Sequence, residues 1–129
     1  CHLPYENDSI RACCVRDGKV VAALGKRARL LVVDLKYSTR EKLAVLDSAG
    51  SVERLFVDAS GRHALVRCGL REWSYVNLRA ADPLRVESLP DWANLRVECL
   101  AFPGDTREDG TGRMLLATAG GDLYEASVD

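Results

Sequence analysis

An all-β fold is predicted for this 129-residue chain by three observations: a unit that occurs three times, apolar runs bounded by turn residues, and central runs with no polar face. The first unit is Ile10–Val15, Gly18, Val20–Leu24, Gly25 and Leu30–Leu35. The second is Val52–Val57, Gly61, Ala64–Val66, Gly69 and Trp73–Leu78, and the third is Val97–Phe102, Gly112, Met114–Ala117, Gly120 and Leu123–Ala126. Their starts at Ile10, Val52 and Val97 lie 42 and 45 residues apart. That step matches the roughly 40–45 residues of a four-stranded WD-type propeller blade. The architecture expected is therefore a partial β-propeller of antiparallel strands, with blade units at 10–49, 50–92 and 93–129. Three blades are fewer than the roughly four to eight that close a ring. The expectation is a single portion of a larger propeller domain.

Each element has its own reason. Residues 1–9 are polar, contain Pro4 and show no periodicity, so they read as a connection. Strands then recur at intervals of about ten residues between Gly, Pro, Asp, Asn and Ser, the rhythm of antiparallel β structure. Val20–Leu24 and Met114–Ala117 are apolar on successive residues, which implies strands covered on both faces. Stacked blades provide that cover. Small residues among the second runs (Ala22, Ala23, Ala64 and Ala117) suit a taper towards a propeller axis. Lys42–Asp47 and Leu84–Leu89 alternate or carry charge, as an outer, half-wet fourth strand should. A helix over Leu43–Leu55 is disfavoured by Gly50, by Val45 and Val52, and by the lack of a 3.6-residue period. The polar stretch 103–112 reads as a surface loop.

Composition narrows the function. Hydrophobic residues make up 47% and charged residues 29%, as in folded globular domains. Eighteen basic and nineteen acidic residues give a net charge of −1, which offers no surplus of cations for nucleic acid. The densest basic cluster, Lys26, Arg27 and Arg29, falls in an expected turn and reads as solvated. Five cysteines (Cys1, Cys13, Cys14, Cys68 and Cys99) are an odd number without a C-x-x-C pair, against both a zinc site and a disulfide scaffold. Those within apolar runs are expected to behave as small buried hydrophobes, in a reducing cytosolic compartment. Adjacent Cys13 and Cys14 should point to opposite faces of a strand. No apolar run approaches the roughly 18 residues of a membrane span. With neither a signal-peptide pattern nor an initiator Met, the chain reads as a cut piece.

The one cluster resembling catalytic machinery is Asp58, Ser60 and His63, within a single short turn. A nucleophile needs its base in hydrogen-bond reach and the base needs an orienting partner, vectors that one turn seldom supplies. The alternative is plain turn chemistry: Asp58 and Ser60 accept backbone N–H groups, Gly61 takes the unusual dihedrals, and His63 opens the next strand. His2 and His63 are the only histidines and make a weak metal pair. Gly120-Gly121-Asp122 lacks the G-K-[ST] of a phosphate loop and leads into a strand, so it reads as a hairpin turn. Glu72–Trp73 and Asp91–Trp92 could face carbohydrate, although packed tryptophans under charged rims are the commoner arrangement. No catalytic, cofactor or metal residue is assigned, and no cofactor is expected.

Gly50–Val66 (GSVERLFVDASGRHALV) resembles the Pep3-type N-terminal domain of the vacuolar protein sorting-associated protein 18 family. Asp58, Gly61 and His63 occupy that family's D-x-x-G-x-H turn between two apolar strands. Trp73-Ser-Tyr75-Val-Asn-Leu78 resembles its next, aromatic strand, and Val97–Phe102 its following first strand. Leu115–Glu125 is similar to the signature L-L-G-T-x-x-G-x-I-Y-E, with Ala117 for Gly, Leu123 for Ile and one extra residue near Gly120–Asp122. The likeness is close over residues 50–129 and loose over 10–49. The G-H and W-D dipeptides of ordinary WD repeats are absent.

The resemblance implies an N-terminal propeller on a class C core subunit of the HOPS and CORVET tethers. These act in endosome, lysosome and vacuole fusion. It implies a non-catalytic, protein-binding scaffold whose partners are other tethering-complex subunits. Its expected location is cytoplasmic and peripheral on late endosomal, lysosomal or vacuolar membranes. No nucleic acid or small-molecule substrate is expected. The alternatives are a generic WD-like scaffold with other partners, or a propeller hydrolase using the Asp58/Ser60/His63 turn. Uncovered apolar faces on the outermost blades are expected to promote self-association.

Overall fold

Local pairing builds three sheets. The computed structural model describes residues 9–25, 28–35, 41–46, 48, 50–78, 84–104 and 110–128. The first sheet is β1 (Ile10–Arg16), β2 (Lys19–Leu24), β3 (Arg29–Asp34) and β4 (Glu41–Val45), in chain order. The second is β5 (Val52–Val57), β6 (His63–Cys68), β7 (Glu72–Asn77) and β8 (Arg85–Ser88), also in chain order. The third holds β9 (Val97–Ala101), β10 (Met114–Thr118) and β11 (Leu123–Ala126), with β10 in the centre. Every pairing is antiparallel. Turn chemistry sets the register: Arg16 pairs with Lys19 across Asp17-Gly18, both at positive φ (48° and 75°). That is the geometry of a two-residue hairpin whose twist matches its strands.

The sheets stack as propeller blades do. β1 lies against β5 and β4 against β8, so like strands meet like. Alternation along the central strands sends side chains both ways. From β6, Ala64, Val66 and Cys68 join Val21, Ala23, Leu30 and Val32 in the seam between the first and second sheets. On its other face Leu65 joins Trp73, Tyr75, Val97, Leu100, Met114 and Leu116 in the seam with the third sheet. β6 is thus a strand between two cores, which is why its centre, Ala64–Val66, is apolar on successive residues. At roughly 25 cal/mol per Å² of buried apolar surface, each fully sealed Leu or Val contributes about 2 kcal/mol. These two seams are the main source of the fold's stability.

Some local features differ from the sequence expectation. Pro90–Asn94 forms one 3-10 turn, started by Pro90 and held by the buried Trp92, a helical element that the strand-and-turn reading did not include. Arg29 opens β3 instead of lying in the preceding turn, whereas Lys26 and Arg27 lie outside the described residues. The fourth strands are shorter than the runs that suggested them, Glu41–Val45 and Arg85–Ser88, and partly wet as expected. Asp47 lies outside the described residues, as do 105–109 of the polar loop. Gly110 and Thr111, within the stretch expected to be a surface loop, are buried instead, because Thr111 and Val128 hold each other: Thr111 N–H donates to the Val128 carbonyl (2.9 Å), and Val128 N–H to Thr111 Oγ1 (3.0 Å).

Candidate functional site

The turn joining β5 to β6 brings Asp58, Ser60 and His63 together. Asp58 (1% exposed) accepts the backbone N–H groups of Arg62 (2.9 Å) and His63 (3.0 Å) on Oδ1. Its other oxygen accepts the Ser60 hydroxyl. Asp58 N–H in turn donates to the His63 carbonyl (3.1 Å), and Gly61 N–H to the Asp58 carbonyl (3.1 Å). His63 is sealed from solvent, and its Nδ1 shares a 2.7 Å hydrogen bond with the hydroxyl of the equally buried Tyr75. Burial pushes the Tyr75 phenol up to about 12, against the pull of the Arg85 guanidinium and with a smaller push from Asp58. The serine is therefore bonded to the acid, while the base faces a phenol inside the core. That order is not the nucleophile–base–acid chain of a hydrolase, and neither imidazole nor carboxylate is open to a substrate.

What the turn does is join two blades. Gly61 has φ 73°, and a Cβ there would lie 2.9 Å from the Arg16 carbonyl of the first sheet. Lys19 Nζ donates to the Gly61 carbonyl (3.1 Å), closing the same contact. Asp58 thus shapes the turn, Gly61 admits the neighbouring backbone, and His63 ties the turn to β7 through Tyr75. The part played by Tyr75 escaped the sequence reading. A tyrosine inside a doubly covered run was its signal, because a buried phenol needs a hydrogen-bond partner.

The remaining sequence candidates resolve individually. Gly120-Gly121-Asp122 is a hairpin turn: Thr118 N–H donates to the Asp122 carbonyl (3.0 Å), and Asp122 N–H to Thr118 Oγ1 (3.2 Å). Trp73 and Trp92 pack on each other at 5.5 Å within the second seam, 3% and 7% exposed, so neither offers a sugar-stacking face. Cys68 is buried, but Cys13 and Cys99 are exposed, contrary to the expectation of buried thiols within apolar runs. Cys13 faces out while Cys14 packs against the first seam, as neighbours on one strand must. Cys1 and His2 lie outside the described residues. Among the described residues no group of three His, Cys, Asp or Glu side chains could hold a metal ion.

A family profile, the Pep3/Vps18/deep orange β-propeller domain, matches residues 2–129. The chain belongs to this family. Its D-x-x-G-x-H turn is the blade joint described above. No curated protein sequence matches the chain. Among solved structures, the β-propeller domain of Cps50 (Swd1) from Myceliophteria thermophila is similar, with a TM-score of 0.53 and 19% identity. That likeness covers 95% of this chain and 44% of the other, and it speaks for the propeller fold alone. The chain thus spans less than half the length of that propeller chain.

Proposed function

We propose that this Pep3/Vps18-type propeller segment is a non-catalytic interaction scaffold within a HOPS/CORVET membrane-tethering subunit, acting in endosome, lysosome and vacuole fusion. One observation carries the reading. Of the residues that looked catalytic, Asp58 and His63 are buried in a blade joint and the half-buried Ser60 donates its hydroxyl to Asp58, while the groups left at the surface are the turns and rims of a stiff β stack. Such a framework presents loop side chains at fixed spacing, so its mechanism is binding energy with no bond made or broken. Its partners in this reading are other tethering-complex subunits, and its place is the cytoplasmic side of late endosomal, lysosomal or vacuolar membranes, held peripherally.

The test is quantitative affinity purification of the full-length protein carrying these blades, combined with its localisation. Enrichment of class C core subunits and overlap with a late-endosomal marker are the expected results. A nuclear or ciliary address without those subunits would overturn the tethering assignment. Ester and glycoside turnover that disappears in Ser60→Ala and His63→Ala would overturn the non-catalytic one.

A further inference from the structure

We infer that a basic groove between the second and third sheets is a docking site for an acidic, apolar-containing peptide segment of a partner protein. This deepens the scaffold reading and rests on it. The groove lies at the end of the blades where the β6–β7 and β10–β11 turns meet the connection into β9. Arg67, Leu70, Arg71, Arg96, Glu98 and Ala119 line it, around a volume of about 330 Å³. A second groove of about 320 Å³ shares Arg96 and Ala119 with it, extending the trough along the β10–β11 turn.

The charges in the groove are not self-satisfied. Among the described residues, Arg67, Arg71 and Arg96 make no side-chain hydrogen bond and no ion pair. The Nε of Arg67 is shut off from water with no acceptor beside it. Such a group lacks the hydrogen bond that buried donors nearly always have. Glu98, the carboxylate on the wall, lies 3.9 Å from Arg54. Arg96 is held by its backbone, with φ 51° and its carbonyl accepting Ala119 N–H (3.1 Å). Leu70, beside Arg71, is 85% exposed, more than any other large apolar side chain described.

Guanidinium forks match carboxylates in a two-point geometry, and the exposed Leu70 on the same lining gives an aliphatic side chain a surface to pack on. The occupant that answers both is an extended segment carrying Asp or Glu next to an aliphatic residue. A flat polyanion fits less well, because the chain's net charge is −1 and carboxylates, Glu98 and Asp122, stand along the trough.

The experiment is a fluorescence-anisotropy titration of the full-length protein with a fluorescein-labelled peptide of alternating glutamate and leucine. Saturable binding is expected. It should weaken at least about tenfold in an Arg71→Glu/Arg96→Glu double variant and fall with added salt. Both side chains are exposed, so the variant should keep its circular dichroism spectrum. A matched peptide with glutamine for glutamate should not bind. Unchanged affinity in the double variant, or equal binding of the glutamine peptide, would overturn the inference. So would loss of binding to phosphatidylserine vesicles in the double variant with peptide binding intact. A negative titration alongside intact co-purification of tethering subunits removes the groove alone; loss of that co-purification removes the scaffold reading instead.

Discussion

At the scale of single residues, Gly61 and Gly69 form a matched pair. Both have left-handed φ (73° and 59°), but a Cβ at Gly61 meets the Arg16 carbonyl at 2.9 Å, whereas nothing lies within 4 Å at Gly69. Gly69→Ala should therefore cost only the dihedral penalty, about 1 kcal/mol. Gly61→Ala should cost at least about 2 kcal/mol more, because a backbone must move. Urea denaturation of both variants measures the difference, which is the energetic weight of the blade joint. Tyr75 supplies a pH test. Its phenol ionises near 10 in an unfolded chain and near 12 when folded, because burial disfavours the anion. The folded state therefore holds the proton longer, and this contribution is complete below pH 10 and lost as pH rises to about 12. Cys68 acts in the same direction from 9 to about 11, chiefly through burial. Stability measured from pH 8 to 11 should fall, and Tyr75→Phe should flatten the upper part of that fall while lowering stability at neutral pH by about 1–2 kcal/mol, since His63 loses its partner.

At the scale of elements, strand pleating decides which thiols react. Cys68 faces the first seam, whereas Cys13 and Cys99 point outward. Brief iodoacetamide treatment of the native protein should label Cys13 and Cys99 and leave Cys68 unmodified until denaturant is added, as read by peptide mass spectrometry. The strands themselves were legible in the sequence because alternation, continuous apolar runs and glycine turns are local signals. The run at Val20–Leu24 announced burial on both faces before any partner sheet was known, and Val21–Leu24 are buried; Met114–Ala117 carried the same signal but is covered on one face only, because Leu115 is 50% exposed on the outer side of the third sheet. What escaped depended on contacts distant in sequence. The hydrogen bond between His63 and Tyr75 requires two strands in register, and the 3-10 turn at Pro90 depends on where Trp92 packs. The basic groove gathers Arg67 and Arg71 from the second blade and Arg96 from the third, so no run of cations marks it; the cluster visible in the sequence, around Arg29, lies elsewhere.

At the scale of the whole molecule, a stack of sheets has outer faces. On the third sheet Leu115 and Ala117 pair with Ala101 and Cys99 across β9 and β10, on the side away from Met114 and Leu116, with Leu115 50% and Leu123 71% exposed. An apolar face of this kind should drive concentration-dependent association of this 129-residue chain, seen as a rising sedimentation coefficient. A Leu115→Lys/Leu123→Lys variant should shift the chain towards monomer without loss of β structure. The two seams also differ in kind. The one between the first and second sheets is aliphatic, while the other holds Trp73 and Trp92, the chain's two tryptophans. Tryptophan fluorescence therefore reports on the second seam and not on the first sheet, whereas circular dichroism counts every strand. If the blades peel away one at a time, as neighbour-coupled repeats can, the two signals will change at different denaturant concentrations. The indole pair is a built-in reporter of the order in which the stack comes apart.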